Sequence, residues 1–275
     1  MKNLSAQYPV WFCDIWGVVH NGLTHHAAAA DALSRHRQGG GIVVLVTNSP
    51  RTAKGVAKQL AEIGVPLASY DRIVTSGDVT QRLVTDHARG KVFHLGAGRD
   101  LSIFEGLPVE RVELAAAHVV LCTGLVHDDV ETPDDYAGLL GRMKELQLPM
   151  ICANPDKIVR KGNRLLYCAG ALAEKYAGMG GDVLMAGKPY PPIYQLALQV
   201  AAEVAGKDID PSRVLAIGDG PETDIKGAAD FGFDVVLIAD GVTDASAGLA
   251  AVQAHVQGMV PKARIVKTLL ALGWN

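Results

Sequence analysis

Asp14, Thr47, Lys188 and Asp219 each close or directly follow a short apolar run, and Asp224 lies five residues beyond Asp219. The runs are VWFCDI (10–15), IVVLVT (42–47), VLMAG (183–187) and VLAIGDG (214–220). If they are strands of an open parallel sheet, these polar residues stand where such sheets bind ligands, beyond the carboxyl ends of the strands. Singly, each has an ordinary explanation. Thr47-Asn48-Ser49 could cap a helix, a GDG turn uses Asp for turn chemistry, and a Lys before Pro usually faces water. Recurrence at four strand ends points instead to one site. Converging carboxylates repel unless a hard divalent cation, Mg²⁺ by preference, neutralises them. One of them, Asp14, can then attack phosphorus and form an aspartyl-phosphate. Asp219 and Asp224 suit the metal, Thr47 and Asn48 the phosphate oxygens, and Lys188 the transition-state charge.

Such a site needs a scaffold, and the rest of the chain is consistent with one. The 275 residues carry 26 Lys+Arg against 29 Asp+Glu, with 49% hydrophobic composition, enough for a substantial core and incompatible with a disordered chain. That length suits one elaborated domain or a core with an insert. A formal charge of −3 argues against nucleic acid as partner. Cys13, Cys122, Cys152 and Cys168 form no CxxC pair and no disulfide framework. No apolar run is long enough for a membrane span, and MKNLSAQYPV lacks the features of a signal peptide. A cytoplasmic α/β protein is expected.

Apolar runs alternate with helical patterns, the signature of βα units. Helices are expected over about 27–37, where three glycines end the pattern, and over 52–64, 133–146, 191 onward, 244–255 and 263–271. Further strands are expected at 91–96, 118–122, 149–153 and 233–239, and 158–168 reads as a hairpin turning at Gly162–Asn163. The middle of the chain either continues one large sheet or forms a separate small α/β unit. Periodicity does not decide between them.

The strings CDIWGV, VTNSPR, GKPYPPIY and IGDGPETDIKGA, in that order, resemble the four motifs of the haloacid dehalogenase (HAD) superfamily. The nearest likeness is to its subfamily IIA, the p-nitrophenylphosphatase and sugar- or nucleotide-phosphatase group. ANPD at 153–156 and the following YCAGALAEKYA are similar to that group's cap segment. The resemblance implies a doubly wound, Rossmann-like parallel core from residues 1–76 and 182–275, with an inserted smaller α/β cap of the C2 type at 77–181. It implies Asp14 as nucleophile and metal ligand, Thr47 on the transferring phosphoryl group, Lys188 bridging the two, and Asp219 and Asp224 at the metal. It also implies a small phosphorylated metabolite as partner and a homodimer formed through the cap.

One position departs from the pattern. Phosphatases of this superfamily usually carry a second Asp two residues after the nucleophile, as general acid and base; here that residue is Trp16. The metal contact at that position is a backbone carbonyl, which Trp16 still provides, but an indole cannot exchange the proton. Three readings stand open. The proton donor comes from elsewhere, with His20 and His25–His26 as candidates. The protein is a slow enzyme or a binder of phosphorylated metabolites. Or the chemistry is C–halogen or C–P cleavage, although an Asp219–Asp224 pair suits a metal that displacement at carbon would not need.

Asn48, Ser49 and Arg51 are candidate substrate contacts, with a solvated helix start as the alternative for Arg51. Asn154, beside Asp156 and Lys157, is a candidate leaving-group contact or plain turn chemistry. GAGRD (96–100) lacks the third Gly of a dinucleotide loop, and of the Asp pairs at 128–129 and 134–135, which could suggest a metal, the second follows Thr132-Pro133 and reads as a charged helix start.

Overall fold

The computed structural model describes residues 1–275 except 88, 162–163, 240–247 and 275. In chain order the strands are β1 (Val10–Cys13), β2 (Ile42–Thr47), β3 (Arg72–Thr75), β4 (Lys91–Leu95), β5 (Glu110–Arg111), β6 (Val119–Cys122) and β7 (Met150–Cys152). They continue as β8 (Ile158–Lys161), β9 (Arg164–Tyr167), β10 (Val183–Met185), β11 (Val214–Gly218), β12 (Asp234–Ile238) and β13 (Arg264–Leu269). The α-helices are α1 (Lys2–Gln7), α2 (Ala27–Gln38), α3 (Ala53–Ile63), α4 (Ser76–His87) and α5 (Ala137–Glu145). They end with α6 (Ala169–Gly178), α7 (Pro191–Ala205), α8 (Lys226–Phe231) and α9 (Leu249–Met259). None of the helices described is long and apolar enough to cross a membrane.

The chain divides into two compact units. The first comprises Met1–Thr47, Gly55–Val74 and Lys188–Asn275; the second comprises Asn48–Lys54 and Thr75–Gly187.

The first unit is built on a six-stranded sheet of order β13-β12-β11-β1-β2-β3. β1 pairs in parallel with both β2 and β11, and β12 in parallel with β11 and β13. Strands covered on both faces read as continuous apolar runs rather than alternating ones, and VWFC of β1 and VLAIG of β11 are buried at every position. The chain winds outward from β1 through β2 to β3, then returns beside β1 as β11 and winds the other way. The reversal falls between β1 and β11, the place where an α/β sheet opens a crevice at its carboxyl edge.

One structural device in this unit shows why the glycine triplet after α2 is more than a helix stop. His36, near the end of α2, lies flat on Trp11 of β1 with ring centroids 3.9 Å apart and planes 5° from parallel. Its Nδ1 meets Ser5 Oγ at 2.7 Å. A Cβ at Gly41 would sit 2.2 Å from His36 Nε2, so only glycine lets the chain pass the ring, while Gly40 turns it at φ +86°. Burial pulls the His36 pKa from 6.5 down to about 4. The unfolded chain therefore binds more protons than the native one across that interval, and stability drains away as pH falls through it. One such group contributes a slope of up to about 1.4 kcal/mol per pH unit. Urea midpoints for wild type and His36→Phe should therefore diverge least at pH 4.5 and most above pH 6.5. Parallel curves would show that His36 is not the group that titrates.

The second unit holds a parallel five-stranded sheet of order β10-β7-β6-β4-β5 and the antiparallel ribbon β8-β9. Its core gathers Val120, Cys122, Leu140, Met143, Cys152 and Tyr176 on one side of the sheet, and Val84, Val92, Ile103, Leu121 and Ile151 on the other. The middle of the chain thus forms a sheet of its own. The ribbon pairs Ile158 with Tyr167 and Val159 with Leu166, as a hairpin requires; its expected turn, Gly162–Asn163, lies outside the described residues.

Two expectations are corrected. Residues 263–271 were expected to be helical, but RIVKTL (264–269) is β13, a sheet-edge strand paired with β12. Ile265, Val266 and Thr268 are β-branched residues suited to a pleated edge. The run at 183–187 was expected to open the second half of the core, yet β10 pairs with β7 in the second sheet, so the chain enters the first unit again only at Lys188. β3 and α4, which carried no clear signal of their own, complete the edge of the first sheet and open the second unit. The helix expected over 244–255 is α9, from Leu249; residues 244–247 lie outside the described residues.

Candidate active site

The carboxyl ends of β1 and β11 bring together Asp14, Lys188, Asp219 and Asp224 in the first unit. Asp14 directly follows β1, its N–H donating to Ile217 O at 2.8 Å, which carries the ladder one residue past the strand. Asp219 directly follows β11, and Asp224 returns to the same place through a π-helical turn, Pro221–Ile225, closed by Ile225 N–H donating to Gly220 O at 3.1 Å. A π-turn inserts an extra residue per turn and is often found at functional sites. The close return also explains Gly218: a Cβ there would lie 2.4 Å from the Asp224 Cβ.

Lys188 is bonded to this cluster. Its Nζ donates to Asp14 Oδ1 at 2.5 Å and to Asp224 Oδ1 at 2.7 Å. All four side chains are buried, with residue exposures of 4–7%. Burial alone would lower the Lys188 pKa, but Asp14 and Asp224 outweigh it and hold the ammonium well above its ordinary value. Burial, then the charge of Asp224, lifts Asp14 to about 7 against the pull of Lys188. Burial, then Asp14 and Asp224, lifts Asp219 to about 8.

Oxygen atoms of Asp14, Asp219 and Asp224 lie within 4.8 Å of one another. Lys188 is bonded to two of these three buried carboxylates, so the cluster has an excess of negative charge and only oxygen donors. That donor set fits a hard divalent cation. Tyr194 of α7 braces the site from beneath. Its hydroxyl donates to Thr223 O at 3.4 Å, and a Cβ at Gly227 would come within 2.1 Å of it. Sequence reasoning missed Tyr194 and Gly218; a glycine ending a buried strand, as in VLAIGDG, was the available sign of a close approach.

Thr47 ends β2 and is buried in the first unit. Trp16 is held by its neighbours. Its ring lies edge-on to His20, centroids 5.1 Å apart, and its Cη2 reaches within 2.4 Å of where a Cβ on Gly22 would be, at φ +89°. His20 is buried and its Nδ1 accepts the Gly22 N–H at 2.9 Å. Burial, then the charge of His26, pulls its pKa down to about 4, so it is neutral at pH 7 and carries no imidazolium proton to a leaving group. His25 Nδ1 lies 3.3 Å from Ile63 O.

The other residues nominated from sequence, Asn48, Ser49, Arg51 and Asn154, lie in the second unit. Asn48 Nδ2 donates to Asp156 Oδ1 at 2.8 Å. Ser49 Oγ accepts the Arg51 N–H at 3.3 Å. Asn154 Oδ1 accepts the Asp156 N–H at 3.0 Å, a local Asx turn.

Comparison with known proteins adds to this geometry. A family model described as haloacid dehalogenase-like hydrolase matches residues 11–110, and a second HAD-like hydrolase model matches residues 185–269. A crystal structure of a hydrolase of the haloacid dehalogenase-like family from Brucella suis 1330 is 49% identical and covers 99% of this chain and 98% of that one, with a TM-score of 0.89. The acid sugar phosphatase of Staphylococcus saprophyticus is 26% identical over 88% of this chain and 89% of its own length. The fold is also that of a glycerol phosphate phosphatase from Mycobacterium tuberculosis in complex with magnesium, at 22% identity and a TM-score of 0.71, covering 99% of this chain and 78% of that one.

Proposed function

The chain belongs to the haloacid dehalogenase-like hydrolases, and on that premise we propose that it is a Mg²⁺-dependent phosphatase acting on a small phosphate monoester through an aspartyl-phosphate at Asp14. The observation that carries this reading is the buried cluster of Asp14, Asp219 and Asp224 at the switch point of the sheet, with Lys188 bonded to Asp14 and Asp224. A sugar phosphatase among the relatives supports a phosphorylated metabolite as substrate.

Asp14, Asp219 and Asp224 would hold the cation, with the Trp16 backbone carbonyl beside them. Bound there, Mg²⁺ would offset the charge of the carboxylates and of the phosphoryl oxygens. An Asp14 carboxylate oxygen attacks phosphorus, the bond from phosphorus to the ester oxygen breaks, and the electron pair leaves with that oxygen. Lys188, fixed between Asp14 and Asp224, places its charge at the attacking oxygen. Thr47, at the end of β2, offers its hydroxyl to the phosphoryl oxygens. Water then cleaves the aspartyl-phosphate, releasing phosphate and restoring Asp14. The same reading takes the second unit as a C2-type cap, Asn48, Ser49, Arg51 and Asn154 as substrate-side residues, and the protein as a cytoplasmic homodimer formed through the cap.

A weaker catalyst, or a binder of phosphorylated metabolites, is the second reading, and the built slot around Trp16 favours it, because the indole there transfers no proton. Phosphate release separates the two. p-Nitrophenyl phosphate should be hydrolysed with Mg²⁺ and not with EDTA. Mg²⁺-dependent thermal stabilisation by phosphorylated metabolites without any phosphate release would overturn the catalytic reading in favour of binding.

A further inference from the structure

Residues 48–54 follow the end of β2 directly, yet they group with the second unit. Three ties hold them there. Asn48 Nδ2 donates to Asp156, Ser49 O accepts the Gly77 N–H at 3.1 Å, and the Ala53 N–H donates to Asp78 Oδ1 at 3.0 Å. The surroundings admit little else. A Cβ on Gly77 would lie 2.5 Å from the carbonyl oxygens of Pro50 and Arg51, and one on Gly187 would lie 2.3 Å from Asn48 Oδ1. The acceptor is itself fixed on both sides. The Asp156 N–H is held by Asn154 Oδ1, and the Asp156 carbonyl accepts the Gly170 N–H at 3.1 Å. A Cβ on Gly170 would fall 2.1 Å from Pro155 O.

Asp156 is thus a carboxylate on a rigid turn, aimed at the amide of the residue next to Thr47. From this geometry we infer that Asp156 is a positioning residue for the phosphoryl-binding segment, acting through Asn48, an inference that rests on the phosphatase reading above. The charge-assisted bond orients the Asn48 amide, with its nitrogen toward Asp156 and its oxygen toward Gly187. With the amide fixed, the backbone leaving Thr47 has one register, and the groups presented to the phosphoryl oxygens keep one geometry. Asn48 then serves the site less through a contact of its own side chain with substrate than through the backbone that this side chain holds.

The test measures KM and kcat for p-nitrophenyl phosphate and the inhibition constant of orthophosphate, with melting temperatures, in Asp156→Ala, Asp156→Asn, Asn48→Ala and the double variant Asn48→Ala/Asp156→Ala. Losing a hydrogen bond to a charged group typically costs about tenfold or more. Asp156→Ala should therefore weaken orthophosphate inhibition and raise KM by at least about tenfold. Asp156→Asn, whose amide oxygen still accepts, should recover most of that loss, and the double variant should be no worse than Asn48→Ala alone. A merely structural role would lower the active fraction, and so apparent kcat, while leaving the orthophosphate inhibition constant unchanged. Asp156→Ala with a wild-type inhibition constant, or losses that multiply in the double variant, would overturn the inference. Should Asp156→Ala not fold, Asp156→Asn against Asn48→Ala/Asp156→Asn reads the same coupling. A wild-type protein that neither hydrolyses the ester nor binds orthophosphate would overturn the phosphatase reading itself, and the inference with it.

Discussion

Asp14→Asn should abolish turnover of p-nitrophenyl phosphate while the protein stays folded. Asparagine keeps the shape of the side chain and its place beside Lys188 but has no carboxylate oxygen to form the acyl phosphate. Removing a covalent nucleophile leaves only the contribution of the remaining electrostatics, so losses of about 10⁴ or more are expected. Substantial activity in Asp14→Asn would refute the assignment of the nucleophile. Stability should move the opposite way in metal-free buffer. Burial and the charge of Asp224 lift the Asp14 pKa from 3.8 to about 7, so the folded state resists ionisation of this group. The native protein then binds more protons than the unfolded chain, and Asp14 lowers stability progressively as pH rises through that interval. In EDTA, the melting temperature of Asp14→Asn should exceed that of wild type, by a margin that widens from pH 4 to pH 7. An equal or lower melting temperature across that range would mean that Lys188 fully compensates the charge.

Trp16→Asp is the second large effect, and its sign is a gain. The indole stands two residues after the nucleophile, where a carboxyl group could protonate the departing ester oxygen and later take a proton from water. General acid–base catalysis of that kind contributes about 10²–10⁴ in rate. His20, whose ring lies edge-on to Trp16, is buried and neutral, so it supplies no imidazolium proton from that side. The gain should grow with the basicity of the leaving group: small for p-nitrophenyl phosphate, whose nitrophenolate leaves unaided, and large for an alkyl phosphate such as glycerol phosphate. Rates for a series of esters, plotted against leaving-group pKa, should show a shallower slope in Trp16→Asp than in wild type. Parallel lines would place the proton donor elsewhere in the molecule. The slot opened between His20 and Gly22 will itself cost stability, so folded variant must be verified by its melting curve.

The elements legible in the sequence were those whose burial leaves an unbroken apolar run. β1, β2, β11 and β12 lie inside the first sheet, covered on both faces, and VWFC, IVVLV, VLAI and VVLI record it. The glycine stop after Gln38 and the hairpin around β8 and β9 were equally plain, because turn chemistry is local. Failure came at the edges. RIVKTL exposes Arg264 and the apolar Val266 and half-buries Ile265 and Lys267, a mixed pattern short enough to fit either period, and only its pairing with β12 makes it a strand. VLM (183–185) looks like any core strand; which of two sheets receives it depends on β7, more than thirty residues away in the chain.

The chemical inventory and its order can be read straight along the chain: a carboxylate after the first strand, a hydroxyl after the second, a lysine ahead of α7, and two carboxylates after β11. Side-chain chemistry and strand ends are local properties, so they can be read one segment at a time. Folding alone gathers Asp14, Lys188, Asp219 and Asp224 at one buried point, brings Asp224 there on a π-turn, and lets Asp156 grip Asn48 across 108 residues of chain. Those are distances, set by the crossover at β1 and β11 and by glycines at positions where any side chain would collide. Electrostatics follows distance too. Asp14 titrates near 7 because burial and its neighbours act together, which no single segment of the chain encodes.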